Sequence, residues 1–181
     1  MNLNLKTSRL NLRFVINEDL QTIHSLHSNP KIAEFNSLEI PKNTQETAKI
    51  LNNWILENNL HIVKRYTFAI ETIQDKNFIG LIGINLGKEK YRNAEVWFKL
   101  DNSFWNKGFA TESLNKILDF GFETLHLHRI EAGCAIENFG SIKVLEKVGM
   151  QKEAHTRKLL PLNSCWSDNY GYAILSIDIR K

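Results

Sequence analysis

Between residues 94 and 149 the chain alternates between short runs of β-forming residues and runs whose apolar side chains recur at helical spacing. Ala94 to Leu100 and Arg129 to Ala135 have the composition of strands. The helix-type stripe between them consists of Ala110, Leu114, Ile117, Leu118 and Gly121. This order predicts a β-α-β unit, in which a helix connects two strands of one sheet.

A further helix is predicted directly after this unit. Asn138 can cap it by accepting hydrogen bonds from the first backbone N–H groups. Ile142, Leu145 and Val148 then fall on one helical face, and Gly149 can end the helix in the left-handed conformation. The segment from residue 138 to residue 149 is therefore a second helix against the same sheet.

Strand-type segments also lie outside this region. They are Leu10 to Phe14, Tyr66 to Glu71, Phe78 to Asn85, Gln151 to Leu160 and Tyr170 to Asp178. Between the first two, helical spacing predicts one helix through Leu20, Ile23 and His27 and another with Thr44 as its cap. Polar turns separate the strand-type segments from residue 66 to residue 100, which predicts an antiparallel meander. We therefore expect an α/β fold with a mixed central sheet flanked by helices.

Length and composition limit the functional classes. With 181 residues, 43% of them hydrophobic and 24% charged, the chain has the size of one domain, and we expect residues 1–181 to form it. The net charge of +3 is too small for the basic surface of a nucleic-acid-binding protein. The most apolar run, Phe78 to Leu86, is too short to cross a bilayer. We expect a cytoplasmic protein without a nucleic-acid or membrane partner.

Cysteine and histidine residues predict neither a metal site nor a nucleophile. Cys134 and Cys165 are too few for a disulfide scaffold, and Cys134 fits a packed strand position. His126 and His128 could share one strand face, but the pattern offers no third ligand for a metal. We expect the protein to need no metal.

The segment Trp105-Asn106-Lys107-Gly108-Phe109-Ala110-Thr111 joins a predicted strand to a predicted helix. The first N–H groups of a helix lack intrahelical partners and carry partial positive charge, so such a junction can bind phosphate. Gly108 allows the backbone to approach a ligand closely, and Lys107 can add a positive charge. A tight turn without a ligand has the same features. The spacing differs from the nucleoside-triphosphate and dinucleotide motifs, which excludes both kinds of site.

A second informative segment, Ile136-Glu137-Asn138-Phe139-Gly140-Ser141, follows the second strand of the β-α-β unit. With the helix that ends at Gly149-Met150, it resembles the second half of the acyl-CoA-binding core of the GNAT acetyltransferase superfamily. The segment from Trp105 to Ala110 resembles the pyrophosphate-binding loop of that superfamily. The two segments also occur in the order that the superfamily shows.

Two other segments narrow the resemblance to the Rim-type branch, the ribosomal-protein N-terminal acetyltransferases and their relatives. Thr7-Ser8-Arg9-Leu10-Asn11-Leu12-Arg13 resembles the opening strand of that branch, and Trp166-Ser167-Asp168-Asn169-Tyr170 resembles its closing segment. The resemblance covers nearly the whole chain and constrains Ala33 to Arg65 least.

The resemblance implies a GNAT fold in which acetyl-CoA lies between a splayed pair of parallel strands, Ala94 to Leu100 and Arg129 to Ala135. Main-chain groups of the first strand would bind the pantetheine arm, the loop would bind the pyrophosphate, and Asn138 would reach the pantetheine or serve only as a helix cap. The implied acetyl-CoA-binding residues are Phe98, Lys99, Leu100, Trp105, Asn106, Lys107, Gly108, Phe109, Ala110, Thr111, Asn138 and Ser141.

The implied catalytic residues are Glu95 and Ser141. Many members of the superfamily carry a tyrosine seven residues after the asparagine, and this chain has Leu145 there. Ser141 is the nearest hydroxyl and would assist the departing thiolate, unless it only supports the helix start. Glu95 would take the proton of the amine, unless it is an ordinary solvated carboxylate. Further candidates on the acceptor side are Glu34, His155 and Asp168.

The resemblance implies an acetyl-CoA-dependent N-acetyltransferase that acts on a primary amine, either a protein N-terminus or a small molecule, by direct attack on the thioester. It would work as a monomer or a homodimer. The missing tyrosine leaves one alternative open, a catalytically silent regulatory protein that binds acyl-CoA. A second alternative is a phosphate-binding adaptor that would bind CoA no better than ADP.

Overall fold

The computed structural model describes residues 3–35, 40–162 and 165–180. The strands are β1 (Asn4–Lys6), β2 (Leu10–Phe14), β3 (Arg65–Thr72), β4 (Phe78–Leu86), β5 (Asn93–Leu100), β6 (Arg129–Ala135), β7 (Gln151–Pro161) and β8 (Trp166–Leu175). The helices are α1 (Leu20–Ser28), α2 (Pro30–Ala33), α3 (Thr44–Asn58), α4 (Phe109–Asp119) and α5 (Phe139–Lys147). A single π-helical turn, Phe120–Thr124, follows α4 directly.

The strands form one sheet of eight in the order β1-β2-β3-β4-β5-β6-β8-β7. The pair β5 and β6 is parallel and the other described pairs are antiparallel. Helix α4 lies in the connection from β5 to β6. The predicted β-α-β unit and the mixed α/β sheet are therefore confirmed.

The sheet separates two apolar clusters, because successive strand residues point to opposite faces. The larger cluster includes Phe68, Ile82 and residues of α4 and α5. The smaller cluster includes Ala69 and Leu81, the neighbours of those two strand residues, and packs them against α1 and α3. Both faces of the central strands are thus covered by helices.

Two sequence expectations need correction, and one strand has no counterpart in the sequence analysis. The cap of α3 is Asn43, whose side-chain oxygen accepts from the Glu46 N–H at 3.0 Å, and Thr44 is the first helical residue. Strand β8 begins at Trp166 and ends at Leu175, because the Asp178 carboxylate accepts from the Leu175 N–H and turns the chain. Strand β1 was not predicted, because three residues are too few to show alternation.

Within the described residues, no helix is both long and apolar enough to cross a membrane.

The end of α3 is fixed to the sheet by one buried asparagine. Pairing between β2 and β3 stops at Phe14 and Phe68, so the Thr67 peptide groups lie beyond the end of β2. The Asn58 side chain replaces the missing strand, because it donates to the Thr67 carbonyl at 2.9 Å and accepts from the Thr67 N–H at 3.0 Å. Both residues are at most 2% exposed. This contact sets the position of α3 over the sheet.

We predict that Asn58→Ala lowers the free energy of unfolding by about 2–4 kcal/mol, because it leaves two buried peptide groups without partners. Asn53→Ala is the matched control, since Asn53 is an exposed residue of the same helix, and it should change the value by less than about 0.5 kcal/mol. Urea unfolding of both variants measures the difference. Equal stability of the two variants would contradict the assigned role of Asn58.

Candidate active site

The site begins where β5 and β6 part. Three residue pairs join these strands, from Asn93 with Arg129 to Glu95 with Glu131. Beyond Glu95, β5 continues along β4, and β6 continues along β8. One edge of each strand then lacks a strand partner among the described residues, which confirms the splayed parallel pair.

Backbone direction decides which groups of β5 face this open edge. The Asp101 N–H donates to the Ile79 carbonyl on the β4 side. Peptide groups alternate along a strand, so those of Lys99 also point to β4, whereas those of Phe98 and Leu100 face the cleft. The Lys99 peptide groups therefore do not face the cleft, which corrects the main-chain role expected for Lys99, whereas the roles of Phe98 and Leu100 remain predictions.

The loop after β5 is stabilised by contacts among its own residues and with the end of β5. The Trp105 indole N–H donates to the Leu100 carbonyl at 2.9 Å, which leaves the Leu100 N–H as the free group of that residue. The Lys107 ammonium lies 5.3 Å from the centre of the Phe104 ring. Lys107 does not line the cleft, whereas the other loop residues from Trp105 to Thr111 do.

Gly108 sets the first turn of α4. Its φ of 81° lies in the left-handed region, which glycine adopts without strain. In the part of the chain that the structure describes, no side chain caps this helix end. The N–H groups of Phe109, Ala110 and Thr111 therefore lack partners, and the helix dipole adds positive charge there. This end of α4 can bind an anionic group.

The segment before β2 holds this loop in place. The hydroxyls of Thr7 and Ser8 and the Arg9 N–H all donate to one Glu112 carboxylate oxygen, at 2.6 to 3.1 Å. The Arg9 guanidinium forms an ion pair with the second oxygen at 2.6 Å and donates to the Lys107 carbonyl at 3.1 Å. Burial raises the pKa of Glu112, but the hydrogen bonds from Thr7 and Arg9 outweigh it, so the pKa lies below its usual range.

The start of α5 brings two predicted residues to the cleft. The Asn138 side-chain oxygen accepts from the Ser141 N–H at 3.0 Å, so Asn138 caps the helix and its amide group remains as a donor. The Ser141 hydroxyl has no hydrogen-bond partner in residues 3–35, 40–162 and 165–180 and lines the cleft. Leu145 is 1% exposed within the core and cannot supply a proton.

The opposite face of β5 presents a carboxylate and an aromatic wall. Glu95 is exposed, lines the cleft and forms no ion pair with another described residue. The Trp97 ring lies 5.9 Å from the Trp54 ring, which lies 5.9 Å from His27. Gly83 makes room for this wall, because a Cβ at that position would lie 2.5 Å from the Trp97 indole. Glu95 thus stands beside the aromatic wall, at the point where the strands separate.

One continuous cleft of about 1380 Å³ joins the loop before α4, the open edge of β5 and the start of α5, and Arg9, Lys107 and Glu112 do not line it. It extends from the first turn of α4 along the open edge of β5 and the start of α5 to the face covered by α1, α2 and α3. The arrangement can therefore hold an extended ligand on one side of β5 and a second molecule on the other.

The remaining candidates divide by position. Glu34 lines the cleft, whereas His155 Nε2 and the Asp168 carboxylate are within hydrogen-bond distance, 2.7 Å, on β7 and β8 and do not line it. Burial raises the pKa of the Cys134 thiol to about 11, which keeps it protonated at neutral pH. His126 and His128 both precede β6 and so do not share a strand. Within the described residues, no group of three or more potential ligands could hold a metal ion.

Comparison of sequences places this geometry in a known family. Residues 9–151 match the acetyltransferase (GNAT) domain model. An uncharacterized N-acetyltransferase of Bacillus subtilis is 30% identical over 172 residues, which cover 94% of this chain and 96% of that protein. A spermidine N(1)-acetyltransferase of Vibrio cholerae is 30% identical over 161 residues, or 89% of this chain and 90% of that protein.

Comparison with solved structures gives the same family. An acetyltransferase of the GNAT family from Bacillus anthracis has a TM-score of 0.86 at 27% identity and covers 97% of this chain and 100% of its own. Spermidine N-acetyltransferase from Vibrio cholerae, in complex with CoA and spermine, has a TM-score of 0.83 at 29% identity, with coverage of 94% and 97%. RimJ of Mycobacterium smegmatis has the same fold, with a TM-score of 0.83 at 24% identity and coverage of 96% and 86%. The chain is therefore an N-acetyltransferase that belongs to the GNAT family.

Proposed function

We propose that the protein transfers the acetyl group of acetyl-CoA to a primary amine by direct attack in a ternary complex. The observation that carries this proposal is the continuous cleft, which joins the free N–H groups of α4, the open edge of β5 and the face around Glu95. Donor and acceptor can approach the start of the strand separation from opposite sides. Family membership supports acetyl-CoA as the donor.

In this proposal the pyrophosphate lies on the N–H groups of Phe109, Ala110 and Thr111, close to Gly108. The Thr111 hydroxyl is a further donor, and Trp105 and Asn106, which line the cleft, bring loop backbone to the phosphates. Partial charges of a helix N-terminus favour this placement.

The pantetheine arm lies along the open edge of β5. Its amide groups replace the missing strand partner at Phe98 and Leu100, which satisfies peptide groups that would otherwise need water. The free amide group of Asn138 lies across the cleft and binds the arm from α5. The thioester then lies near Glu95, where the strands separate.

The chemistry needs one base and modest help for the leaving group. The amine nitrogen attacks the thioester carbonyl carbon, the carbon–sulfur bond breaks, and the amine proton passes through water to Glu95. The Ser141 hydroxyl donates to the departing thiolate. An alkylammonium has a pKa of about 10 and a thiol one of about 8.5, so deprotonation of the amine is the harder step at neutral pH. Loss of Glu95 should therefore reduce the rate more than loss of Ser141.

The relatives suggest two acceptor classes. The similar Vibrio cholerae enzyme is named for spermidine, a small amine, and similar folds are named for ribosomal proteins. A primary amine is common to both classes. We also propose that residues 1–181 form a single domain, because the described strands share one sheet.

The silent regulatory protein is the weaker alternative. Its one argument is Leu145, and the free Ser141 hydroxyl supplies a different donor four residues earlier on the same helix. Relatives named as N-acetyltransferases cover nearly the whole chain. The phosphate-binding adaptor is also weaker, because a phosphate ligand at α4 would not account for the unpaired peptide groups along the open edge of β5.

We predict that Gly108→Val weakens acetyl-CoA binding at least about tenfold, because a branched side chain does not tolerate the left-handed backbone and the loop must move. Gly149→Ala controls for backbone strain, because Gly149 has a φ of 89° and does not line the cleft. It should lose stability but retain binding. Isothermal titration with acetyl-CoA measures binding by the two variants. Unchanged binding by folded Gly108→Val would remove this loop as the phosphate site.

We predict that Glu95→Gln lowers kcat at least about 100-fold and that Ser141→Ala lowers it less, with acetyl-CoA binding nearly unchanged in both. Glu89→Gln is the control, an exposed carboxylate that does not line the cleft. Thiol release from acetyl-CoA with a confirmed amine acceptor measures kcat across pH. If Glu95→Gln retained the parent's kcat and pH profile, Glu95 would not be the base.

A further inference from the structure

Lys99 introduces a positive charge into the acceptor side of the cleft. Its side chain is on the same strand face as Glu95 and Trp97, because the three alternate along β5. It is partly buried and lines the cleft. Within residues 3–35, 40–162 and 165–180, no carboxylate lies within ion-pair distance of its ammonium group.

The neighbouring charges do not neutralise Lys99. Helix α2 brings a second cation, Lys31, to the same cleft. At the rim, Glu57 is already paired with Arg65 at 3.1 Å. Glu34 also lines the cleft but forms no ion pair with a described residue.

Burial of Lys99 has an energetic consequence. It lowers the pKa of the ammonium group to about 8, so Lys99 remains mostly charged at neutral pH. His27, on α1, is 6% exposed, and its burial and the nearby Lys99 charge lower its pKa to about 4. His27 is therefore neutral at pH 7, whereas Lys99 is charged. A partly buried charge without a partner is unfavourable, and an incoming anion would relieve that cost.

The spacing along β5 defines the size of a matching ligand. Glu95 and Lys99 are four residues apart on one strand face, which separates their Cα atoms by about 13 Å. Trp97 lies between these two residues on the same strand face, and its ring centre is 5.9 Å from that of Trp54. A ligand with its amine at the Glu95 end and its anion at the Lys99 end would thus place an apolar or aromatic group against Trp97.

We propose that the acceptor is a small amino acid-like or dipeptide-like molecule that carries a primary amine, an apolar or aromatic group, and an anionic group that Lys99 binds. This inference rests on the proposed acetyl transfer and adds the class of acceptor. The same charge disfavours polyamines, because they would bring a further cation to Lys99. Lys99 is a specificity residue here, and Glu95 remains the base.

The test is binding of matched acceptors to protein saturated with CoA, so that no turnover is needed. The dipeptide Ala-Phe should bind at least about tenfold more tightly than Ala-Phe-amide, because a charged hydrogen bond is lost in the amide. Tyramine phosphate compared with tyramine shows whether a phosphate serves as well as a carboxylate. Isothermal titration at pH 7 measures each dissociation constant.

Variants assign the effect to one residue. Lys99→Met should abolish the preference for Ala-Phe over its amide, and Lys99→Arg should keep most of it. Lys49→Met, an exposed lysine of α3 that does not line the cleft, should leave the preference intact. Circular dichroism confirms that each variant is folded.

Three results would overturn the inference: equal binding of the acid and the amide by the parent, an unchanged preference in Lys99→Met, or tighter binding of spermidine than of Ala-Phe. Thiol release from acetyl-CoA separates this failure from failure of the proposed function. Release with Ala-Phe-amide as good as with Ala-Phe leaves acetyl transfer standing and removes the role of Lys99. The expected binding preference without any thiol release removes the acetyl transfer and leaves the anion site.

Discussion

Parallel strands β5 and β6 share three residue pairs and then separate, and this separation creates the site. Each strand is held on its other side by a long antiparallel partner, β4 for β5 and β8 for β6, with seven residue pairs in each case. The open edge is therefore rigid, because neither strand can shift to close it without breaking a ladder. Peptide groups at Phe98 and Leu100 are left facing the cleft, and a ligand with its own amide groups can pair with them.

The end of the cleft at the first turn of α4 depends on a second constraint, the contact between the N-terminal turn and α4. Glu112 receives hydrogen bonds from Thr7, Ser8 and Arg9, and Arg9 reaches the carbonyl of Lys107. The Arg9 guanidinium also lies 4.5 Å from the centre of the Phe109 ring. Because these contacts fix the loop before any ligand arrives, little ordering of the backbone is needed on binding.

Local signals in the sequence predict much of this structure. Asn138 and Gly149 mark the two ends of α5 because a cap and a left-handed stop act within a few residues. The direction of the Lys99 peptide groups could not be predicted, since it depends on how β5 pairs with β4. The wall of Trp54 and Trp97 joins residues far apart in sequence, and no local pattern shows that they meet. The Thr7 to Arg9 segment has no local pattern that marks it as functional, and only the family resemblance singles it out. Its contact with Glu112, more than 100 residues later in the chain, is visible only in the folded structure.

The central claim is that acetyl-CoA completes the open edge of β5. Amide hydrogen exchange, measured residue by residue by NMR with and without acetyl-CoA, tests it most directly. The account predicts that acetyl-CoA slows exchange at Phe98 and Leu100 at least about tenfold and leaves Trp97 and Lys99 unchanged, because those N–H groups already bond to β4. Unchanged exchange at Phe98 and Leu100 with saturating acetyl-CoA would contradict the account.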